Sequence, residues 1–197
     1  MKLAIFGGTF NPIHNGHIAL ARNFSALLKP DVFLFMPANI PPHKSAAELI
    51  SAYHRLAMCE IAAQKIHNCT VSDYEITKEG TSYTIDTIGH FKQNGNEIYL
   101  IIGADMLLSM ETWKNAPRIM ERAVLCAAAR ENGQAEQLQT YTAYLESKYG
   151  AKVILADFPV LEMSSEEIRG RIRQGQSCDG MLLAEIGEYI KEHNLYK

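Results

Sequence analysis

The run Gly7-Gly8-Thr9-Phe10-Asn11-Pro12-Ile13-His14-Asn15-Gly16-His17 sets two histidines, three residues apart, directly after a glycine-bearing turn. A short apolar segment precedes it at residues 2–6, and a helical pattern follows over 16–28. Strand, glycine loop and helix start together bring backbone N–H groups and the positive end of a helix dipole beside the imidazoles, an arrangement that attracts phosphate. Glycines at 7, 8 and 16 permit close approach of a ligand to the backbone. A lone histidine is more often a surface or satisfied core residue, so it is the placement after a strand and glycines that makes His14 and His17 candidates for anion binding. The spacing is not that of the GxGxxG dinucleotide fingerprint, and no Gly-Lys-Ser/Thr follows to make a P-loop.

Four further segments carry chemistry that a phosphate site would use. Pro41-Pro42-His43-Lys44 puts a flexible cation after a stiffened loop, which on its own reads as a surface lysine. Thr81-Ser82-Tyr83-Thr84-Ile85-Asp86-Thr87 combines hydroxyls with a helix start; a capping hydroxyl is expected, and the N–H groups of the same first turn favour a carboxylate. Ile102-Gly103-Ala104-Asp105 closes an apolar strand, with the only tryptophan, Trp113, eight residues beyond Asp105. Taken alone, such an aspartate is often a cap and such a tryptophan is often core. In the segment 163–173, Ser164 or Ser165 opens a helix with Glu166 or Glu167 as capping partner; Arg169 and Arg173 share one face and Arg171 points elsewhere.

These segments need elements to hold them, and apolar runs supply them. Strands are expected at 2–6, 32–36, 70–76, 98–102, 123–128 and 153–157, with helices at 16–28, 51–65, 84–93, 106–111, 135–149, 165–174 and 182–193. Repeated βα units imply a parallel sheet covered by helices, so the expected fold class is α/β, a single Rossmann-like doubly wound sheet with helices on both faces and a helical C-terminal segment. Residues 1–197 read as one domain, with the segment of about 164–197 packed on it. In such sheets ligands bind outside the carboxyl ends of the strands, which is where the five segments fall. A net charge of -3 gives no general attraction to a nucleic acid and suits a small anionic substrate better. No apolar run approaches the roughly 18 to 20 residues that span a bilayer, so a cytoplasmic protein is expected. Cys59, Cys69, Cys126 and Cys178 lack metal or redox spacing and read as reduced structural thiols. Association into a homo-oligomer is left open.

The histidine segment resembles the GxFxPxHxGH signature of the nucleotidylyltransferase superfamily, with His14-Asn15-Gly16-His17 as its HxGH element. Within that superfamily the PPHK stretch, the TYT-type segment, the GxD followed by tryptophan, and Ser164-Ser165 with Ile168-Arg169 and Arg171 are similar to the motifs of bacterial nicotinate mononucleotide adenylyltransferases. The likeness runs in order from Gly7 to Arg173; a mild departure is Leu161-Glu162-Met163, where relatives often carry isoleucine. The resemblance implies adenylyl transfer from ATP to nicotinate mononucleotide with release of pyrophosphate. It implies an ATP site of Gly7, Gly8, Thr9, Phe10, Gly16, Gly103, Asp105 and Ser164, with His14, His17, Lys44 and Arg169 acting on the phosphates. It assigns Lys44, Tyr83, Thr84 and Trp113 to the mononucleotide. Mg2+ would travel on ATP, with no protein metal site. A phosphate monoester has a second pKa of about 6 and is largely dianionic at neutral pH, so the acceptor needs no general base. The alternatives are an adenylyltransferase for nicotinamide mononucleotide or phosphopantetheine, and a nucleotide sensor without turnover.

Overall fold

Alternate residues of β1 (Lys2–Gly8) point to opposite sides of a sheet, and both sides are covered: Leu3 and Ile5 lie in one apolar core, Ala4 and Phe6 in another. The neighbouring β2 (Val32–Pro37) repeats the division, with Leu34 and Met36 in the first core and Phe33 and Phe35 in the second. Burial on both faces is why these strands read as unbroken apolar runs. The computed structural model describes residues 1–42, 49–78, 80–129, 134–159, 161 and 163–197. Lys44, with the rest of 43–48, therefore lies outside the described residues.

The remaining strands are β3 (Cys69–Val71), β4 (Glu97–Ile101), β5 (Ala123–Ala128) and β6 (Lys152–Ala156). All neighbours pair in parallel, in the order β3-β2-β1-β4-β5-β6, which is the doubly wound α/β class expected from the sequence. One face carries α1 (Asn15–Leu28), α2 (Ala52–Ala63) and the C-terminal α9 (Ala184–Glu192), whose Phe24, Met58 and Ile186 are fully buried. The other face carries α4 (Thr84–Lys92), α5 (Ala104–Leu108), α6 (Ala116–Arg122) and α7 (Gln134–Tyr149) through Ile88, Leu107, Ile119 and Leu138. The short α3 (Tyr74–Thr77) follows β3, and α8 (Ser165–Arg173) follows β6. After β1 the chain moves to β2 on one side, and it returns to β4 on the other side. The connections leaving β1 and β4 thus part at the centre of the sheet and open a crevice there.

Three elements differ from the sequence expectation. The strand expected at 70–76 ends at Val71, because the Ser72 hydroxyl accepts from the Tyr74 N–H and starts the single turn of α3. The helix α6 falls in a stretch assigned no element; its Pro117 lies in the first turn, where proline's missing N–H costs nothing. Gly7 and Gly8, expected in the loop, extend β1 and pair with Met36 and Pro37.

Glu75 of α3 is buried and accepts from Oγ1 of Thr87 on α4 at 2.5 Å. Burial pushes its carboxyl above the ordinary range, while the hydroxyls of Thr87 and Ser82 act in the opposite direction. A carboxyl with a raised folded pKa penalises folding once the pH exceeds its unfolded value, and the penalty is absent below both values. Glu75→Gln is therefore expected to raise the melting temperature at pH 7 to 8, with the gain fading as the pH falls to about 4. Thermal unfolding of both proteins across that range checks this.

Candidate functional site

His14 is the N-cap of α1. Its Nδ1 accepts from the backbone N–H of His17 at 3.4 Å, and Nδ1 of His17 accepts from the backbone N–H of His14 at 3.3 Å. This is a capping box with imidazoles in the places usually held by serine or threonine and glutamate. The two rings stack with centroids 3.7 Å apart at 29°. A ring nitrogen that accepts carries no proton, so each neutral ring has its hydrogen on Nε2 and serves as a donor there. Gly16 allows the stack: a Cβ there would lie 3.0 Å from the Leu161 carbonyl oxygen and 3.1 Å from Nδ1 of His14.

The loop before the helix is held from below. Phe10 adopts φ of +48°, a conformation that costs a non-glycine residue about 1 kcal/mol or more. Its ring is buried edge-on against Phe6 and Phe35 and 5.1 Å from the His17 ring, and that packing offsets the strain. Gly8 accommodates the same ring, since a Cβ there would come within 2.8 Å of it. Among the described residues, by contrast, nothing lies within 4 Å of the Cβ position of Gly7. The ring of Phe10 thus supports His17 from the core side.

The crevice contains a cavity of about 320 Å³ that unites three of the sequence segments. His14, Gly16 and His17 line it together with Gly103 and Ala104 after β4, and Ser164, Ser165 and Arg169 of the α8 region. Arg169 donates to the carbonyl of Asn11 at 2.8 Å, and the Ser165 hydroxyl donates to that of Pro12 at 2.9 Å, so α8 is fastened to the histidine loop. Ser164 caps α8 by accepting from the Glu167 N–H at 3.0 Å. The Glu167 carboxylate pairs instead with Nε of Arg171 at 3.1 Å, which leaves the capping box open and turns Arg171 to another partner. Glu166, which the sequence suggested only as a cap, also lines the cavity. Asp105, exposed in the first turn of α5, follows Ala104 but is not in the lining.

Tyr83, Thr84 and Trp113 form a second group outside that cavity. Tyr83 is the N-cap of α4 and its side chain makes no capping hydrogen bond, contrary to the expected hydroxyl cap. The reason is that Ser82 is engaged elsewhere: its Oγ accepts from the Asn39 N–H at 2.9 Å and its N–H donates to the Ile40 carbonyl at 2.9 Å. Trp113 is half-buried against the core of the α4 face. Lys114 sets Nζ 3.8 Å above the Tyr83 ring and so joins the tryptophan segment to the α4 start. Nothing in the spacing distinguishes Lys114 from any exposed lysine. Glu111 steadies the turn before Trp113, accepting from Tyr149 at 2.6 Å, Lys148 at 2.9 Å, Tyr144 at 3.1 Å and Tyr141 at 3.2 Å. Led by the Tyr149 and Lys148 hydrogen bonds, this holds its carboxyl down to about 2. Among the described residues, no group of three or more His, Cys, Asp or Glu side chains forms a metal site, and no helix is long and apolar enough to cross a membrane.

Residues 5–171 match the family model described as cytidylyltransferase-like. The chain is 37% identical over 196 residues to a probable nicotinate-nucleotide adenylyltransferase of Clostridium botulinum (strain Alaska E43 / Type E3), covering 100% of this chain and 98% of that protein. It is likewise 37% identical over 198 residues to the probable nicotinate-nucleotide adenylyltransferase of Clostridium tetani, covering 100% and 99%. In fold it is similar to the solved structure of Plasmodium falciparum nicotinic acid mononucleotide adenylyltransferase complexed with NaAD, with a TM-score of 0.80, 20% identity and coverage of 99% and 97%.

The reciprocal capping predicts that nitrogen-15 NMR spectra of the folded protein report the neutral rings of His14 and His17 as the tautomer with hydrogen on Nε2. It also predicts that His14→Ala costs about 1 kcal/mol of stability, the usual worth of an N-cap, measured by denaturant unfolding.

Proposed function

This chain belongs to the cytidylyltransferase-like family, and within it we propose that it acts as a nicotinate-nucleotide adenylyltransferase, transferring the adenylyl group of ATP to nicotinate mononucleotide with release of pyrophosphate. The observation that carries this reading is the convergence of His14, His17, Ser164 and Arg169 on one cavity at the centre of the sheet. These four donors come from segments some 150 residues apart in sequence.

The obstacle in this reaction is bringing two polyanions together and stabilising charge as pyrophosphate leaves, a matter of position and electrostatics. His14 and His17 donate from Nε2 to the triphosphate, with their Nδ1 atoms spent on the helix start. Arg169 is pre-oriented by the Asn11 carbonyl, which leaves further N–H groups of its fork for the β and γ phosphates. Ser164 accepts a backbone N–H at Oγ, so its own hydrogen turns outward as a donor. Gly7, Gly8, Thr9 and Phe10 lie under the nucleotide, Gly16 keeps the helix start open, and Gly103 and Asp105 meet its ribose side. Lys44 neutralises charge between the two substrates. Mg2+ would be carried on the triphosphate: among the described residues Glu166 is the one carboxylate in the cavity lining, which fits an ion held mainly by phosphate oxygens and water.

The acceptor is read from the second group. The uncapped N–H groups at the start of α4 suit a carboxylate, since an anion gains from the helix dipole far more than a neutral amide does. Tyr83 and Thr84 hold that carboxylate, and Trp113 offers its face to the pyridine ring. Lys114, over Tyr83, adds positive charge on the same side. Both substrates are small soluble anions, which accords with a cytoplasmic enzyme that needs neither nucleic acid nor membrane.

Pyrophosphate release with ATP and Mg2+, and with each acceptor supplied separately, tests this. Nicotinate mononucleotide is expected to be the fastest acceptor. Equal rates with nicotinamide mononucleotide would remove the specificity assignment, and no release with any acceptor, phosphopantetheine included, would favour a sensor. His17→Ala is expected to lower turnover by about two to three orders of magnitude, the usual cost of losing one transition-state donor.

A further inference from the structure

Arg55, on α2, is the largest of the fully buried side chains, at 1% exposure. Its guanidinium donates to four backbone carbonyls. Nη1 donates to Thr9 at 2.8 Å and to Ala38 at 2.5 Å, Nη2 to Asn39 at 2.8 Å, and Nε to Ile50 at 3.4 Å. Among the described residues, none of the ion pairs includes it. Burial works against its charge, yet a guanidinium stays protonated in proteins, so among the described residues this is a buried cation held by backbone carbonyl dipoles with no ion-pair partner. A side chain needed only to fill the core would be apolar there.

The four carbonyls belong to three segments. Thr9 lies on the loop that leads to His14, Ala38 and Asn39 follow β2, and Ile50 precedes α2. The β2 exit is in turn bonded to the acceptor group: the Asn39 N–H donates to Ser82 Oγ, Asn39 Nδ2 donates to the Gly80 carbonyl at 3.2 Å, and the Ser82 N–H donates to the Ile40 carbonyl. Arg55 thus stands at the junction between the segment assigned to ATP and the segment assigned to the mononucleotide. We infer that Arg55 is a positioning residue that fixes these two segments at one separation, so that the acceptor phosphate meets the α-phosphorus in line.

This inference rests on the adenylyl-transfer reading, and it separates binding from transfer. Each segment keeps its own local bonds without Arg55: the His14–His17 capping box on one side, the Ser82 bonds on the other. Each substrate alone should still bind. Transfer requires both in register, and a misplacement of about 1 Å costs on the order of a hundredfold in rate. Lysine keeps the charge but has no planar fork with which to span three segments.

The test compares Arg55→Lys and Arg55→Met with the parent in the full chain, well below each melting temperature. Both variants are expected to lose about a hundredfold in kcat, while the Kd for ATP and for nicotinate mononucleotide, each measured alone by calorimetry, stays within about threefold. Hydrogen exchange at the amides of Ala38, Asn39 and Ser82 is expected to rise, with that of α8 unchanged. A kcat per folded molecule within threefold of the parent would overturn the inference, as would a rate loss accounted for by weaker binding of one substrate. Arg55→Lys carries the test if Arg55→Met does not fold, and if neither folds the residue is structural and the inference falls. A parent without turnover would instead sink the reaction itself, and the exchange at the three amides would still decide whether Arg55 couples the segments.

Discussion

The loop from Thr9 to Ile13 has no regular structure and yet is largely buried, with Phe10, Asn11 and Ile13 each at 2% exposure or less. A buried backbone must find partners for its polar groups, and a loop cannot supply them from a ladder of its own. The partners come from far along the chain: Arg55 takes the Thr9 carbonyl, Arg169 that of Asn11, and Ser165 that of Pro12. Tyr196, almost at the C-terminus, donates to the Asn11 side chain at 3.0 Å. Meeting the needs of this one loop brings α2, α8 and the end of the chain together around the start of α1.

The same economy marks the histidines. An imidazole has two nitrogens, and the capping box uses one of each pair to finish the helix and commits the other to donating. Structure and function are therefore not in competition at these two positions. The rings are supported by Phe10, whose own strained backbone is tolerated because its ring fills the space between Phe6, Phe35 and His17. The proposed phosphate site would work by fixed donors and helix starts, with no need for a group that changes protonation during the reaction.

The side proposed to hold the acceptor is built on a different principle. Its parts are surface turns, each tied back by a polar contact: Ser82 to the β2 exit, Lys114 to Tyr83, and Glu111 to three tyrosines and a lysine of α7. The exposed contacts of Glu111 are individually weak, so their value lies in number and in shared direction. The histidine side, by contrast, is anchored by partly buried bonds that end on the loop carbonyls themselves.

Much of this was legible in the residues themselves. Strands buried on both faces must be unbroken apolar runs, so β1, β2, β4 and β5 announce themselves, and a glycine-bearing turn before a helix with two histidines marks the place of the candidate site. The local pattern was less informative where a single polar side chain decides the outcome, as Ser72 does in ending β3, or where a proline that usually breaks helices begins one, as in α6. Arg55 and Lys114 carried no signal, because an arginine on a helix and a lysine in a loop look the same whether they face solvent or hold two segments together. Residue type and spacing determined which chemistry was on offer, since those are properties of short stretches of chain. Only the tertiary structure decided which stretches meet, which tautomer the histidines hold and which cation is buried, because each depends on carbonyls and rings that lie far away in sequence.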